Sequence, residues 1–144
     1  MNYILSFIFS AITLLALDSA WFYYSVPTIY TRNFSRVIGK PWSIEPSLNV
    51  IIATVVTYFA LLALLFLTAV TNFGEPVVSA SAAAFRGATT GCLSFAIYNG
   101  TCAAVFGPEK WGWDMFLADC LWGAVIGGSV SYVASITLSG KIEF

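Results

Sequence analysis

The sequence contains no histidine, and of its 144 residues only thirteen are charged, six basic and seven acidic. Without histidine there is no imidazole general base, no histidine-ligated haem, no zinc–histidine site and no imidazole pH switch. Charged residues make up 9% of the chain, against about 25% in a soluble globular domain. So few charges cannot cover the surface of a soluble protein, which excludes an ordinary cytosolic enzyme. A net charge of −1 leaves no basic excess for neutralising phosphates, so no nucleic-acid partner is expected. Cys92, Cys102 and Cys120 show neither paired metal spacing nor a C-x-x-C. They read as small apolar fillers, and neither a metal nor another cofactor is expected. There is no phosphate loop and no nucleophile–base pair at recognisable spacing, so the reading leans away from an enzyme.

What the chain does hold is apolar bulk. It is 59% hydrophobic and 17% aromatic, with a mean hydropathy of +0.85. Four continuous apolar stretches, about 3–26, 47–70, 78–106 and 115–138, reach the roughly 20 helical residues that a hydrocarbon core requires. Their continuity argues against the alternating pattern of a β-barrel, and lipid tolerates no open backbone. The expected fold class is all-α, an integral-membrane four-helix bundle forming one domain over 1–144, with the lipid bilayer as its surroundings. A cleaved signal peptide fits poorly. There is no basic n-region, and the apolar run continues past Ala20 into Trp-Phe-Tyr-Tyr.

The expected connections are short. The first runs from about Pro27 to Pro46, the second contains the turn signal Asn72-Phe73-Gly74-Glu75-Pro76, and the third runs from Gly107 to Asp114. Arg32, Arg36, Lys40 and Lys110 fall in the first and third. The opposite side has Lys141 and, just inside the third span, Arg86. This bias favours the first and third loops in the cytoplasm and both termini outside. Asn33-Phe34-Ser35 matches a glycosylation sequon and serves as a reporter of that orientation. Asn99-Gly100-Thr101 also matches but lies within a span.

Polar residues from all four spans converge on the first-loop side: Asp18, Asn49, Tyr98 with Asn99 and Thr101, and Asp119. The five tryptophans fall there too. Trp42, Trp111 and Trp113 read as an interfacial belt. Trp21 and Trp122 stand apart, because each follows an aspartate by three residues, Asp18-x-x-Trp21 and Asp119-x-x-Trp122. That spacing shares a helix face and sets an acid beside an indole donor. A carboxylate in a bilayer must be protonated, paired or wetted.

Small residues mark the packing faces. The fourth span repeats Asp119, Gly123, Gly127, Ser131, Ser135 at every fourth position, and the third answers with Ala83, Gly87, Gly91. Such stripes let backbones approach closely, inside the bundle or in a homodimer. A polar stripe, Arg86, Thr90, Ser94, Tyr98, runs beside them. It suits a wet path or hydroxyls bonded to their own helix. Arg86 is the candidate on the outer side, snorkelling or drawing an anion. The second span offers Asn49, Ala53, Thr57 and Ala60 to the bundle and Leu61, Leu62, Leu65 and Phe66 to lipid.

At these motifs the chain resembles a family of small four-span membrane proteins catalogued as domain of unknown function 2177. The residues that carry the resemblance are Leu17-Asp18-x-x-Trp21, Asn49, Tyr98-Asn99-Gly100-Thr101-Cys102, Trp111 and Asp119-x-x-Trp122-Gly123. The likeness spans nearly the whole chain and implies the same fold and membrane placement, with no substrate attached. In the third span Asn99 stands where the family has an aspartate, and Cys102 where it has an asparagine. A relay step needing a carboxylate at that position is therefore missing here.

Three functions are compatible with these residues. The first is binding or transport of a small solute or ion, with Asp18 and Asp119 as titrating groups and Trp21, Asn49, Tyr98, Asn99 and Trp122 around them. The second is a structural or assembly protein whose Asp-x-x-Trp pairs are packing clasps. The third is a membrane-embedded enzyme acting on a lipid-like substrate, which needs an open lateral cleft beside an aspartate.

Overall fold

The structure is a computed structural model that describes residues 3–72, 75–76 and 79–140. Part of the expected 72–76 turn, Val78 at the expected start of the third span, and Lys141 lie outside the described residues. The chain is all-α, a membrane four-helix bundle. Its elements are α1 (Tyr3–Ser25), a π-helical turn (Val26–Tyr30), α2 (Thr31–Ile38), α3 (Leu48–Leu65), a second π-helical turn (Phe66–Val70), α4 (Ala80–Phe106) and α5 (Trp113–Leu138). The strand pairing among the described residues is a two-residue antiparallel ladder, Thr71 opposite Pro76 and Asn72 opposite Glu75. Tyr3–Ile38, Leu48–Val70 and Trp113–Leu138 are each long and apolar enough to cross a membrane. α4, at 27 residues, rises about 40 Å at 1.5 Å per residue and is richer in glycine, serine and threonine.

The first connection differs from expectation. Helix continues through Pro27 to Ile38, where a loop from Pro27 was expected. Proline lacks the N–H of a regular helical turn, and a π-helical turn absorbs that loss without ending the helix. The Thr28 hydroxyl donates to the Tyr24 carbonyl at 2.7 Å across the irregular stretch. α2 stops at Gly39, whose φ of 72° is left-handed and whose N–H donates to the Ser35 carbonyl. Extended chain then leads to Ser47, which caps α3 by accepting from the Val50 N–H at 3.3 Å.

α4 and α5 make the tightest contact, through the small stripes. Gly87 and Gly91 lie against Gly127 and Gly123 so closely that a Cβ on Gly91 would strike the Gly123 carbonyl, and one on Gly127 the Gly87 carbonyl. These faces are occupied within the chain. α1 packs on α5, where the Ser6 hydroxyl donates to the Ala134 carbonyl at 2.9 Å. Ser94 donates to its own helix at Thr90, the back-bonding alternative for the polar stripe, and Arg86 stays exposed.

α3 is attached by one end, and it turns the other way from expectation. Leu62 and Leu65 are buried in a cluster with Leu14, Ile126 and Val130, whereas Asn49, Ala53, Thr57 and Ala60 are exposed. The small faces of α4 and α5 are filled by each other, so α3 packs by bulky side chains. Those occur in its C-terminal half, and every residue from Leu48 to Thr57 is exposed.

Close backbone packing is testable by adding one methyl. Gly91→Ala is expected to lower bundle stability by about 1–3 kcal/mol, the usual cost of overpacking. Gly100→Ala should be silent, since the nearest atom to its new Cβ is 3.9 Å away. Thermal unfolding followed by circular dichroism in detergent checks the pair; equal midpoints for the two variants would contradict the contact.

Candidate functional site

The two Asp-x-x-Trp motifs meet, but crosswise. Trp21 and Trp122 stack with ring centroids 4.9 Å apart and planes 10° from parallel. The Trp122 indole donates to Asp18 Oδ1 at 2.8 Å, on the opposite helix. The Trp21 indole donates to the Tyr30 hydroxyl at 3.1 Å, and that hydroxyl donates to Asp119 Oδ1 at 2.5 Å. Each indole thus serves the acid of the other helix, one directly and one through a tyrosine. The i, i+3 spacing places acid and indole on one face. Antiparallel packing then makes the partner helix the nearer neighbour.

Asp119 is 3% exposed and both its oxygens are used. Asn99 donates to Oδ2 at 3.0 Å and also to the Phe95 carbonyl of its own helix at 3.0 Å. The Asn99 carbonyl oxygen accepts from the Trp111 indole at 2.9 Å. Trp111 is therefore no belt residue. It is 3% exposed and closes a chain of neutral donors from the third loop to the acid. Trp42 is half-buried, with its ring 4.8 Å from that of Phe34. Trp113 remains exposed, as a belt residue would be.

Asp18 is 6% exposed. Besides Trp122, it has the Tyr58 hydroxyl of α3 turned toward it. Its surroundings thus depend on the one helix that is held at a single end. Asn49 is not part of the site; it stands exposed on the first turn of α3.

Both acids wall half-open cavities. One, about 440 Å³, includes Asp119, Tyr30, Trp111, Phe95 and Tyr98, with Val50 and Thr54 of α3 on its far side. The other, about 360 Å³, includes Asp18, Tyr58, Thr57, Ala60, Ser94, Phe95 and Tyr98. Phe95 and Tyr98 belong to both linings. Tyr98 is 52% exposed, so it stands at the mouth between them. Apart from the hydroxyls of Thr54, Thr57 and Ser94 the walls are otherwise apolar and aromatic, and both volumes fall within the ~300–1,000 Å³ range of ligand pockets.

The loop-side end is tied shut by α2. Asn33 is fully buried. It accepts from the Gly112 N–H at 3.1 Å and donates to the Ile29 carbonyl at 3.0 Å. Arg32 forms an exposed ion pair with Asp114. The Asn33 sequon is thus a structural element, and a glycan on its nitrogen would break this anchor on either side of the membrane.

Sequence reasoning overlooked Tyr30, Tyr58 and Asn33. A signal for Tyr30 existed. Val26, Tyr30, Phe34 and Val37 continue a helical apolar period through Pro27, and all four lie in one packed cluster. Tyr58 had no such signal, because its partner depends on how α3 leans.

The hydroxyl of Tyr30 is the link to remove. Tyr30→Phe keeps the ring stacked on Phe34 but leaves the Trp21 N–H and Asp119 Oδ1 without that partner. A loss of about 1–3 kcal/mol is expected for buried groups left unsatisfied, read from unfolding in mixed micelles. A variant as stable as the native chain would mean the bond carries nothing.

No curated protein and no solved structure matches the chain. A family model described as predicted membrane protein, DUF2177, matches residues 3–136, which includes both acid–tryptophan motifs and all but the last two residues of α5. With that match added to the fold and the crossed clasp, the chain belongs to the predicted membrane protein family DUF2177.

Proposed function

We propose that this protein binds, within the bilayer, a small molecule that enters from the lipid side between α3 and α4, with its polar group at Asp18 and its apolar body against Phe95 and Tyr98. The observation that carries this reading is the pair of half-open cavities that meet at those two aromatic residues, each with one buried carboxylate in its wall. A bilayer is hostile to an acid without a partner. A buried acid that borders open space instead of packed side chains suits a polar group arriving from outside the chain. We place the first and third loops in the cytoplasm, on the strength of Arg32, Arg36, Lys40 and Lys110 at that end.

A second reading has its own observation. Asp119 is bonded on both oxygens by Tyr30 and Asn99, which is what a packing clasp requires. The two readings divide between the two acids: Asp119 holds the helices, and Asp18 meets the ligand. The enzyme reading asks for a lateral cleft beside an aspartate, and the cavity at Asp18 is half-open.

The test uses N-phenylnaphthylamine, a neutral apolar fluorophore, with protein in lipid nanodiscs and empty nanodiscs as background. Saturable binding is expected to the native protein. Ala60→Trp, which fills the Asp18 cavity from a helix face that packs against nothing else, should weaken it at least about tenfold. Signal no different from empty nanodiscs, or binding unchanged in the filled variant, would overturn the proposal.

A further inference from the structure

We propose that the ligand of these cavities is a lipophilic organic cation, a permanently charged or protonated nitrogen or phosphorus centre carrying aromatic or alkyl groups. This inference rests on the binding reading above and adds the sign of the charge. Three observations point to it. First, the donors that reach the two acids are all neutral: one indole, phenols and an amide. They satisfy oxygen lone pairs and bring no compensating charge. Second, neither cavity has a lysine or arginine in its lining. The basic residues at this end are elsewhere. Arg32 pairs with Asp114, Arg36 and Lys110 are exposed, and Lys40 lines, with Glu45, a neighbouring hollow that adjoins the Asp119 cavity at Trp42, Ile44 and Val50.

Third, the wall shared by both cavities is aromatic. The faces of Phe95 and Tyr98 suit a weakly hydrated cation, which ring quadrupoles attract. An anion in the same place would meet two carboxylates and the negative faces of the rings, with no basic side chain to offset them. A neutral ligand would leave the acids as they are. A cation is the one occupant that completes the charge at Asp18 while placing its apolar groups on apolar walls. Its route is lateral, past the exposed N-terminal half of α3, so it partitions into the membrane before it binds.

The test compares tetraphenylphosphonium with tetraphenylborate, ions of closely similar shape and opposite charge, as competitors of N-phenylnaphthylamine in nanodiscs at matched free concentrations. In the native protein the cation is expected to displace the probe at a concentration at least about tenfold lower than the anion. Asp18→Asn keeps an acceptor for the Trp122 indole and removes only charge. It should lose most of the cation preference, read within the variant as the ratio of the two displacing concentrations, whatever its own affinity for the neutral probe. Equal displacement by the two ions, or a preference for the anion, overturns the inference while leaving the binding reading intact. So does a full cation preference that survives in both Asp18→Asn and the Asp18→Asn/Asp119→Asn double variant. If the native protein has no saturable site for the neutral probe, the binding reading itself falls, and this inference with it.

Discussion

The hydrogen bond from Tyr30 to Asp119 is the contact on which the loop-side end of the molecule depends. It joins residues 89 positions apart and fixes the end of the first helical run onto the start of the last. For Tyr30 to reach that acid, helix must persist past Pro27, and it does so at the cost of a widened turn. Once it persists, Asn33 falls one turn further on and meets the third connection at Gly112. The two loop regions of one side are thereby locked together by buried neutral bonds, with the Arg32–Asp114 ion pair outside them. In a hydrocarbon setting, where water supplies no alternative partners, such bonds are slow to exchange for others.

Much of this arrangement was legible in the residues. The helical character of the four apolar runs and the glycine stripes of α4 and α5 follow from local rules of spacing, although the first helix runs on past Pro27. What escaped was whatever depended on which helix lies next to which. Asp18 and Trp21 share a face by spacing, yet Trp21 bonds to Tyr30 further along its own helical run and Trp122 bonds across to Asp18. Trp111 looks like any loop tryptophan until Asn99 is known to face it. The small residues of α3 do not mark its contact face. Two neighbours had already used each other's small faces, leaving Leu62 and Leu65 as its anchors.

The two acids illustrate how similar motifs acquire different surroundings. Asp119 is flanked by parts held from several directions: the tied-down first helix, α4, and the third connection. Asp18 has one rigid partner, Trp122, and one on a helix that packs only at its far end. The same chemistry is thus set once into a stiff frame and once beside an adjustable one. The asymmetry comes from where α3 is attached, and it would not be visible from either motif alone.

That attachment makes α3 a lever. Leu48 lies about 26 Å from Leu65 along a helix rising 1.5 Å per residue, and the buried leucines sit at the short end. A tilt of about ten degrees about that fulcrum moves the free tip by about 4–5 Å, while the leucine cluster scarcely shifts. Val50, Thr54 and Thr57, which border the two hollows, ride on the long arm. The size of the hollows is therefore coupled to whatever leans on that arm, and in a membrane this is the sideways pressure of the surrounding acyl chains. The space beside Asp18 thus has one wall that faces those chains directly.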